Sequence, residues 1–320
     1  MTLDNCPAID RDLEEIDLLE SDTIIGGRYK VEDLFDTGGL SLIYRCIDLE
    51  SKTTMALKCV DVSKKKRLME ETDIALDDIF DIEVSVLSKV SHPGIVGSEE
   101  PVEHCGRLYL PLEFLGQNFL DYQKILFRTS KDPRRQLIKD LLGHIVPAMN
   151  YLYQRNISHN DIKPLNIRAK FEHGNHWLKL IDFGFAIQFD QSHPFEGIIQ
   201  GTLEYLPPEF FLNKKRKNAD VYSFGRVLCN ELVMEARQRE PRYNSIEITL
   251  CVPEIDDILK SIYSRDGMDL DFIHAYNKVH KRYPSDLIEI VDLCLDRGDG
   301  EYRIYPDGLL DLSMRCLSKM

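Results

Sequence analysis

The sequence has no apolar run approaching the ~18 residues needed to cross a bilayer, no excess of basic residues, no closely spaced cysteine pair and no internal repeat. Each absence excludes something. Without an apolar run, a membrane is not an expected partner. Lys and Arg number 40 against 54 Asp and Glu, a net charge of −14 at pH 7. Sequence-independent nucleic-acid binding relies on Lys and Arg to neutralise phosphates, so nucleic acid is not an expected partner either. The eight cysteines, at 6, 46, 59, 105, 229, 251, 294 and 316, form no C-x-x-C pair, and the N-terminus is acidic, unlike the basic start of a secretory or targeting peptide. Free thiols in a cytosolic or nuclear protein are expected. What is present is 320 residues at 43% hydrophobic content, enough to bury a sizeable core in one large domain or two modest ones.

Residues 1–22 hold eight acids against the single Arg11, without a sustained apolar period, and residues 1–27 are expected to form a solvated, disordered arm. From Arg28 the pattern changes. KVEDLF, SLIYRCID and TMALKCVD predict three consecutive antiparallel strands. Ile79, Ile82, Val86 and Val90 recur at helical spacing over 79–90, HPGI ends that helix, and LYLPLEF reads as a further strand. After Gly116 the character is helical. In QLIKDLLGHIVPAMNYLYQ, the residues Ile138, Leu141, Leu142, Ile145, Met149 and Leu152 form one stripe, which Pro147 should kink. Short strands are expected at 165–168 and 177–181, with mostly helix from DVYSFGRVLCNEL onward. KKKR at 64–67 reads as a solvated loop rather than a nuclear signal.

The chemistry concentrates in ISHNDIKPLNI at 157–167 and IDFGFA at 181–186. Phosphoryl transfer requires a protein to position phosphates, hold one or two metal ions and orient a hydroxyl. Asp182, at the end of an apolar strand and followed by Phe-Gly, suits a Mg²⁺ ion bridging nucleotide phosphates. Asn166 offers a hard neutral oxygen as a second metal contact. Asp161 can orient the attacking hydroxyl and accept its proton, and Lys163 can neutralise charge on the transferred group.

In this order and spacing the chain resembles the eukaryotic-type protein kinases over nearly all of residues 28–320. The resemblance implies an α+β fold: a small antiparallel β-rich lobe with one main helix at 28–115, and a larger, mostly helical lobe at 116–320. MALK at 55–58 looks like the family's V-A-I-K strand, so Lys58 would hold the α and β phosphates, with Glu83 on the following helix as its partner. GTLEYLPPE at 201–209 is similar to the end of an activation segment. DVYSFG at 220–225 resembles the start of the buried helix whose Asp, here Asp220, supports the catalytic-loop backbone, and Arg303 would pair with Glu209. The implied nucleotide-binding set is Gly38, Gly39, Ile43, Ala56, Lys58, Glu113, Leu115 and Arg168. The implied cofactors are ATP and Mg²⁺, with Mn²⁺ as an alternative. The implied partner is a protein substrate, with a regulatory protein as a further one. Lys163 together with Thr202 resembles serine/threonine rather than tyrosine kinases.

Three departures qualify the resemblance. The glycine positions of the family's G-x-G-x-x-G loop fall on Asp36, Gly38 and Ser41; only the middle one is kept, and a carboxylate at Asp36 should weaken ATP binding. Arg168 stands where Leu usually floors the adenine pocket, below Ile43 and Ala56; it either lays its aliphatic stem under the purine or blocks the site. Asn160 stands where Arg commonly binds an activation-segment phosphate. In AIQFDQSHPFEGIIQ, 186–200, Ser192 is the one hydroxyl, and Asp190 and Glu196 would oppose an added phosphate. Activity independent of activation-segment phosphorylation is therefore expected, the alternative being that Asn160 is a tolerated surface residue. The rival functions are a pseudokinase scaffold without turnover and a small-molecule phosphotransferase, which GTLEYLPPE disfavours. Residues 233–283, where such kinases dock substrates and partners, do not follow the family closely and name no substrate.

Overall fold

Alternation in SLIYRCID dictates the first sheet. Leu42, Tyr44, Cys46 and Asp48 point inward along β3 (Ser41–Asp48), while Ser41, Ile43, Arg45 and Ile47 take the other face. The computed structural model describes residues 18–62, 76–190, 199–202, 204–212, 216–236, 247–250, 283–295 and 303–320. The arm up to residue 17, the basic run at 64–67, Ser192, Glu196 and most of 233–283 lie outside them. Around β3 are β1 (Ile24–Ile25), β2 (Tyr29–Thr37), β4 (Thr54–Val60), β5 (Val102–His104) and β6 (Arg107–Glu113), in the antiparallel order β1-β2-β3-β4-β6-β5. The three expected strands are present, but order begins before Arg28. Ile25 is fully buried with Tyr29, Val31, Leu42, Tyr44 and Leu57, and Ile24–Ile25 pairs with β2, so the expected disorder of the arm does not extend to these residues. Gly26 and Gly27, at φ 58° and 69°, reverse the chain there, and a Cβ on Gly26 would stand 2.1 Å from Val102 Cγ1.

Asp48 ends the inward row as a fully buried carboxylate. Arg28 donates to both of its oxygens at 2.9 and 2.8 Å, and Ser51 Oγ donates at 2.6 Å. The Arg28 guanidinium holds this carboxyl well below the usual carboxylate range. The helix α1 (Leu76–Leu87) buries Phe80, Glu83, Val86 and Leu87, whereas Ile79 and Ile82 are only half-buried. It ends at Leu87, so Val90 lies beyond the helix, in the turn ahead of HPGI.

Five of the cysteines, Cys46, Cys59, Cys229, Cys294 and Cys316, are free and buried, as expected for thiols used as small apolar side chains. Cys105, in the turn between β5 and β6, is disulfide-bonded, which corrects the expectation for that residue.

The described residues separate after Leu115. One unit holds the sheet and α1 with Val96–Leu115; the other holds Ser91–Ile95 and the chain from Gly116 on. In the second, β7 (Gln117–Asn118) leads into α2 (Phe119–Thr129), capped by Asn118 Oδ1 accepting from Asp121 N–H at 2.9 Å. The stripe Ile138, Leu141, Leu142, Ile145, Met149 and Leu152 is buried throughout. It runs along α3 (Pro133–Asp140), a π-type turn at Leu141–Ile145 and α4 (Val146–Tyr153). The irregularity comes just before Pro147, because the proline ring and its missing N–H forbid α-helical bonding to the preceding turn.

β8 (Ile157–Ser158), β9 (Ile167–Glu172) and β10 (Asn175–Leu180) follow, β9 pairing with both β10 and β7. Residues 165 and 166, expected in a strand, belong instead to a 3₁₀ turn at Pro164–Asn166. β11 (Ile187–Gln188) pairs with β8, and β12 (Ile199–Thr202) with β13 (Glu247–Leu250). The helix α5 (Ala219–Ala236) is apolar on several sides and buries Val221, Tyr222, Phe224, Val227, Leu228 and Leu232. Gly225 lets it approach α6 (Ser285–Cys294), since a Cβ there would lie 2.4 Å from Cys294 Cβ. The chain closes in α7 (Pro306–Lys319).

His144, in the π-type turn, gives the fold a pH dependence. Its Nδ1 accepts from the Leu178 N–H at 3.2 Å, a bond that protonation removes. Burial lowers its pKa, Asp140 opposes that and the nearby His176 adds to it. Because the folded pKa lies below the unfolded value of about 6.5, the unfolded chain takes up the proton first, and stability falls as pH drops below that value. Thermal melts should show the midpoint falling between pH 7.5 and 5.5. His144→Gln should flatten that fall by up to one proton, at most about 1.4 kcal/mol per pH unit; an unchanged slope would refute the assignment. His92, whose pKa burial also lowers, keeps its own share.

Candidate active site

In the first unit Ile43, Ala56 and Lys58 share one face of the sheet. Ile43 lies opposite Lys58, and Ala56 lies opposite Leu112, on the face away from the Tyr44–Leu57 core. Lys58 is buried, and its Nζ meets Glu83 Oε2 of α1 at 2.5 Å. A buried lysine without an anion would be costly, so this ion pair fixes both strand and helix side chains. Gly38 and Gly39 lie in the turn between β2 and β3, and Asp36 belongs to β2, half-exposed and opposite Ile43. Glu113 takes the other parity: it lies opposite Met55, its Oε2 accepts from Gly97 N–H at 3.2 Å, and its own N–H donates to Gly97 O at 2.8 Å. Leu115 is buried.

The second unit assembles the catalytic loop on α5. Asp220, in the first turn of that helix, accepts from the backbone N–H of His159 at 2.7 Å and of Asn160 at 2.8 Å. The His159 ring packs 4.6 Å from Phe183, and its Nε2 lies 3.0 Å from Ile181 O. With its backbone held, the loop turns Asp161 inward. Asp161 Oδ2 accepts from Asn166 Nδ2 at 2.7 Å and meets Lys163 Nζ at 3.0 Å, and Oδ1 accepts from Thr202 Oγ1 at 3.4 Å. Lys163 Nζ also donates to Thr202 Oγ1 at 2.8 Å. Burial raises the Asp161 pKa; Lys163 opposes this and the charge of Asp182 adds to it. A carboxylate so placed is a hydrogen-bond acceptor for a hydroxyl and a base for its proton.

The fit for a metal ion rests on Asn166 and Asp182. Asn166 Nδ2 donates to both Asp161 O, at 2.9 Å, and Asp161 Oδ2, which leaves the amide oxygen as the atom suited to a hard cation. Asp182 is exposed two residues past the end of β10, with φ 65° in the left-handed region. Among the described residues no group of three or more His, Cys, Asp or Glu stands ready to hold a metal. A Mg²⁺ ion at such a carboxylate and amide would complete its shell with phosphate oxygens and water.

Arg168 lies on β9, half-buried and opposite both Asn118 and Lys179. Asn160 is 6% exposed, which overturns the alternative reading of it as a surface residue; its side chain is hydrogen-bonded to Ser158 and Phe185. Asn156 was missed in the sequence. Its backbone O accepts from Phe189 N–H at 2.9 Å and its Oδ1 from Lys217 Nζ at 2.6 Å. The signal for it was two asparagines bracketing Ile157, Ser158 and His159, since both adopt left-handed φ, 57° and 61°. Arg303 does pair with Glu209, Nη2 to Oε2 at 3.0 Å, both fully buried.

A family model described as protein kinase domain matches residues 29–303. CBL-interacting protein kinase 5 of Oryza sativa subsp. japonica is 27% identical over 212 residues, 64% of this chain and 43% of that protein. Serine/threonine-protein kinase CG17528 of Drosophila melanogaster is 30% identical over 232 residues, 69% and 29% of the two chains. Serine/threonine-protein kinase cds1 of Schizosaccharomyces pombe is 25% identical over 252 residues, 76% and 53%. The chain thus spans between 29% and 53% of the length of these relatives. The matched span runs from β2 to Arg303 and takes in the β-rich unit, the catalytic loop and the buried α5, and the chain belongs to the eukaryotic-type protein kinase domain family.

Proposed function

We propose that the chain is an active protein kinase that transfers the γ-phosphate of ATP to Ser or Thr hydroxyls of protein substrates. The observation that carries this reading is Asp161, a buried carboxylate held by Asn166, Lys163 and Thr202. Asp161 accepts the proton of the attacking hydroxyl, and Lys163, braced on Thr202, offsets charge on the transferred group. Lys58, held by Glu83, binds the α and β phosphates, and Gly38, Gly39, Ile43, Ala56, Glu113, Leu115 and Arg168 contribute to nucleotide binding. Asp182 and Asn166 hold Mg²⁺, or Mn²⁺ in its place, which when bound neutralises phosphate charge. The Lys163–Thr202 pair and the serine/threonine-kinase relatives support transfer to Ser or Thr. We assign the catalytic domain to 28–320, with a break after 115. One relative's name records an interaction with CBL, and a regulatory protein partner is part of this proposal. So is independence from activation-segment phosphorylation.

A scaffold without turnover is the second reading, favoured by Arg168 in place of an apolar adenine floor. Incubation with labelled Mg-ATP and a mixed panel of proteins tests both. Label on Ser or Thr from the wild type, lost in Lys58→Met, is the expected result. No label with either Mg²⁺ or Mn²⁺, together with no thermal shift on adding Mg-ATP, would favour the scaffold.

A further inference from the structure

Asn160 uses its side chain entirely within the fold. Ser158 Oγ donates to its Oδ1 at 3.0 Å, and its Nδ2 donates to Ser158 O and to Phe185 O, both at 3.3 Å. Its backbone is fixed independently, through the bond from its N–H to Asp220 and through a left-handed φ of 61°, which Asn tolerates better than most residues. Phe185 lies three residues beyond Asp182. Further along, Ser158 pairs with Ile187, and Phe189 N–H donates to Asn156 O at 2.9 Å. Lys217, which donates to Asn156 Oδ1, also stands 5.7 Å from the Phe189 ring centroid. The stretch 185–189 is thereby laced to 156–160 at three levels, with a left-handed asparagine at each end. The bonds at these three levels join neutral groups.

We propose that Asn160 is a positioning residue: its carboxamide latches the start of the activation segment to the catalytic loop and sets the chain that carries Asp182, so that this register is intrinsic and requires no added phosphate. Asn160 itself touches neither nucleotide nor substrate in this role. Its effect on turnover rests on the kinase reading above, whereas the latch does not. Because the bonds are neutral, ionic strength should leave the latch intact, where an arginine–phosphate pair at an exposed site would weaken with salt.

The test uses Asn160→Gly, which keeps the left-handed backbone without steric cost and removes only the side chain. Asn160→Asp serves as a second variant, replacing the donor with an acceptor facing Phe185 O. Amide hydrogen exchange of the whole protein should rise about tenfold, the loss of one hydrogen bond, at 185–189 in both variants, while β10 stays protected. With Mg-ATP and a phosphorylated panel protein, kcat should fall by about the same factor with KM for ATP within twofold. Phosphatase treatment of the wild type should leave kcat unchanged, at low and high salt alike. Unchanged exchange at 185–189 in Asn160→Gly would overturn the latch, as would loss of protection spread evenly through the second unit. Absence of turnover in the wild type would instead strike the kinase reading, and the exchange comparison would still decide the latch.

Discussion

Asp161→Asn is expected to lower kcat for phosphoryl transfer by about 10³-fold, within the range for losing a positioned general base. Asn has the shape of Asp and can still accept from Lys163 or Thr202, but it cannot take the hydroxyl proton. KM for ATP should change little, because the phosphates are assigned to Lys58 and the metal to Asn166 and Asp182. Stability at pH 7 should change little, because two effects oppose. Burial raises the Asp161 pKa, so above that value the folded state carries an anion that the unfolded state holds more easily, and removing the charge relieves that cost. The same change takes a carboxylate away from Lys163, itself buried, whose Nζ lies 3.0 Å from it. A variant with undiminished kcat would remove Asp161 from the mechanism, and one that fails to fold would show its contacts to be structural first.

The second large effect concerns stability alone. Glu209 and Arg303 form a fully buried, doubly hydrogen-bonded pair, and the Arg303 guanidinium also stands 5.0 Å from the Tyr222 ring centroid. Asn218 Nδ2 donates to Arg303 O at 3.0 Å, which ties the pair to the start of α5. Glu209→Gln should destabilise the protein by about 3–5 kcal/mol, because it strands a guanidinium where water cannot reach it. The double variant Glu209→Leu with Arg303→Met should recover much of that, since removing both charges also removes both desolvation costs. Denaturant unfolding of the three proteins decides it: a double variant no better than the single would place the stabilisation in the pair's own attraction.

The residues that were legible in the sequence are those whose meaning is local. Lys58 was reached through the resemblance of MALK to the family's V-A-I-K strand, whereas Asp161, Lys163 and Asn166 fall within one loop, where spacing finds them without knowledge of the fold. The buried stripe from Ile138 to Leu152 was likewise visible as periodicity. What was not legible depends on distant partners. The burial of Asn160 requires Phe185 and Asp220, 25 and 60 residues away, and nothing in HND distinguishes it from a surface loop. Pro147 announced a break, but periodicity did not say that it would take the form of a π-type turn over Leu141–Ile145. Ile82 looked like core from its helical spacing, yet it is half-buried, while Glu83 beside it is buried, as its expected pairing with Lys58 requires.

The contact between Asp220 and the catalytic loop also orders events during synthesis. The two backbone bonds that fix His159 and Asn160 come from a side chain 61 and 60 residues later. At roughly 5–20 residues per second, a ribosome needs about 3–12 s to make that interval. Until then the nascent chain carries the loop without the group that sets it. The chain is made with the backbone at 159–160 unset, and the helix that completes it arrives late.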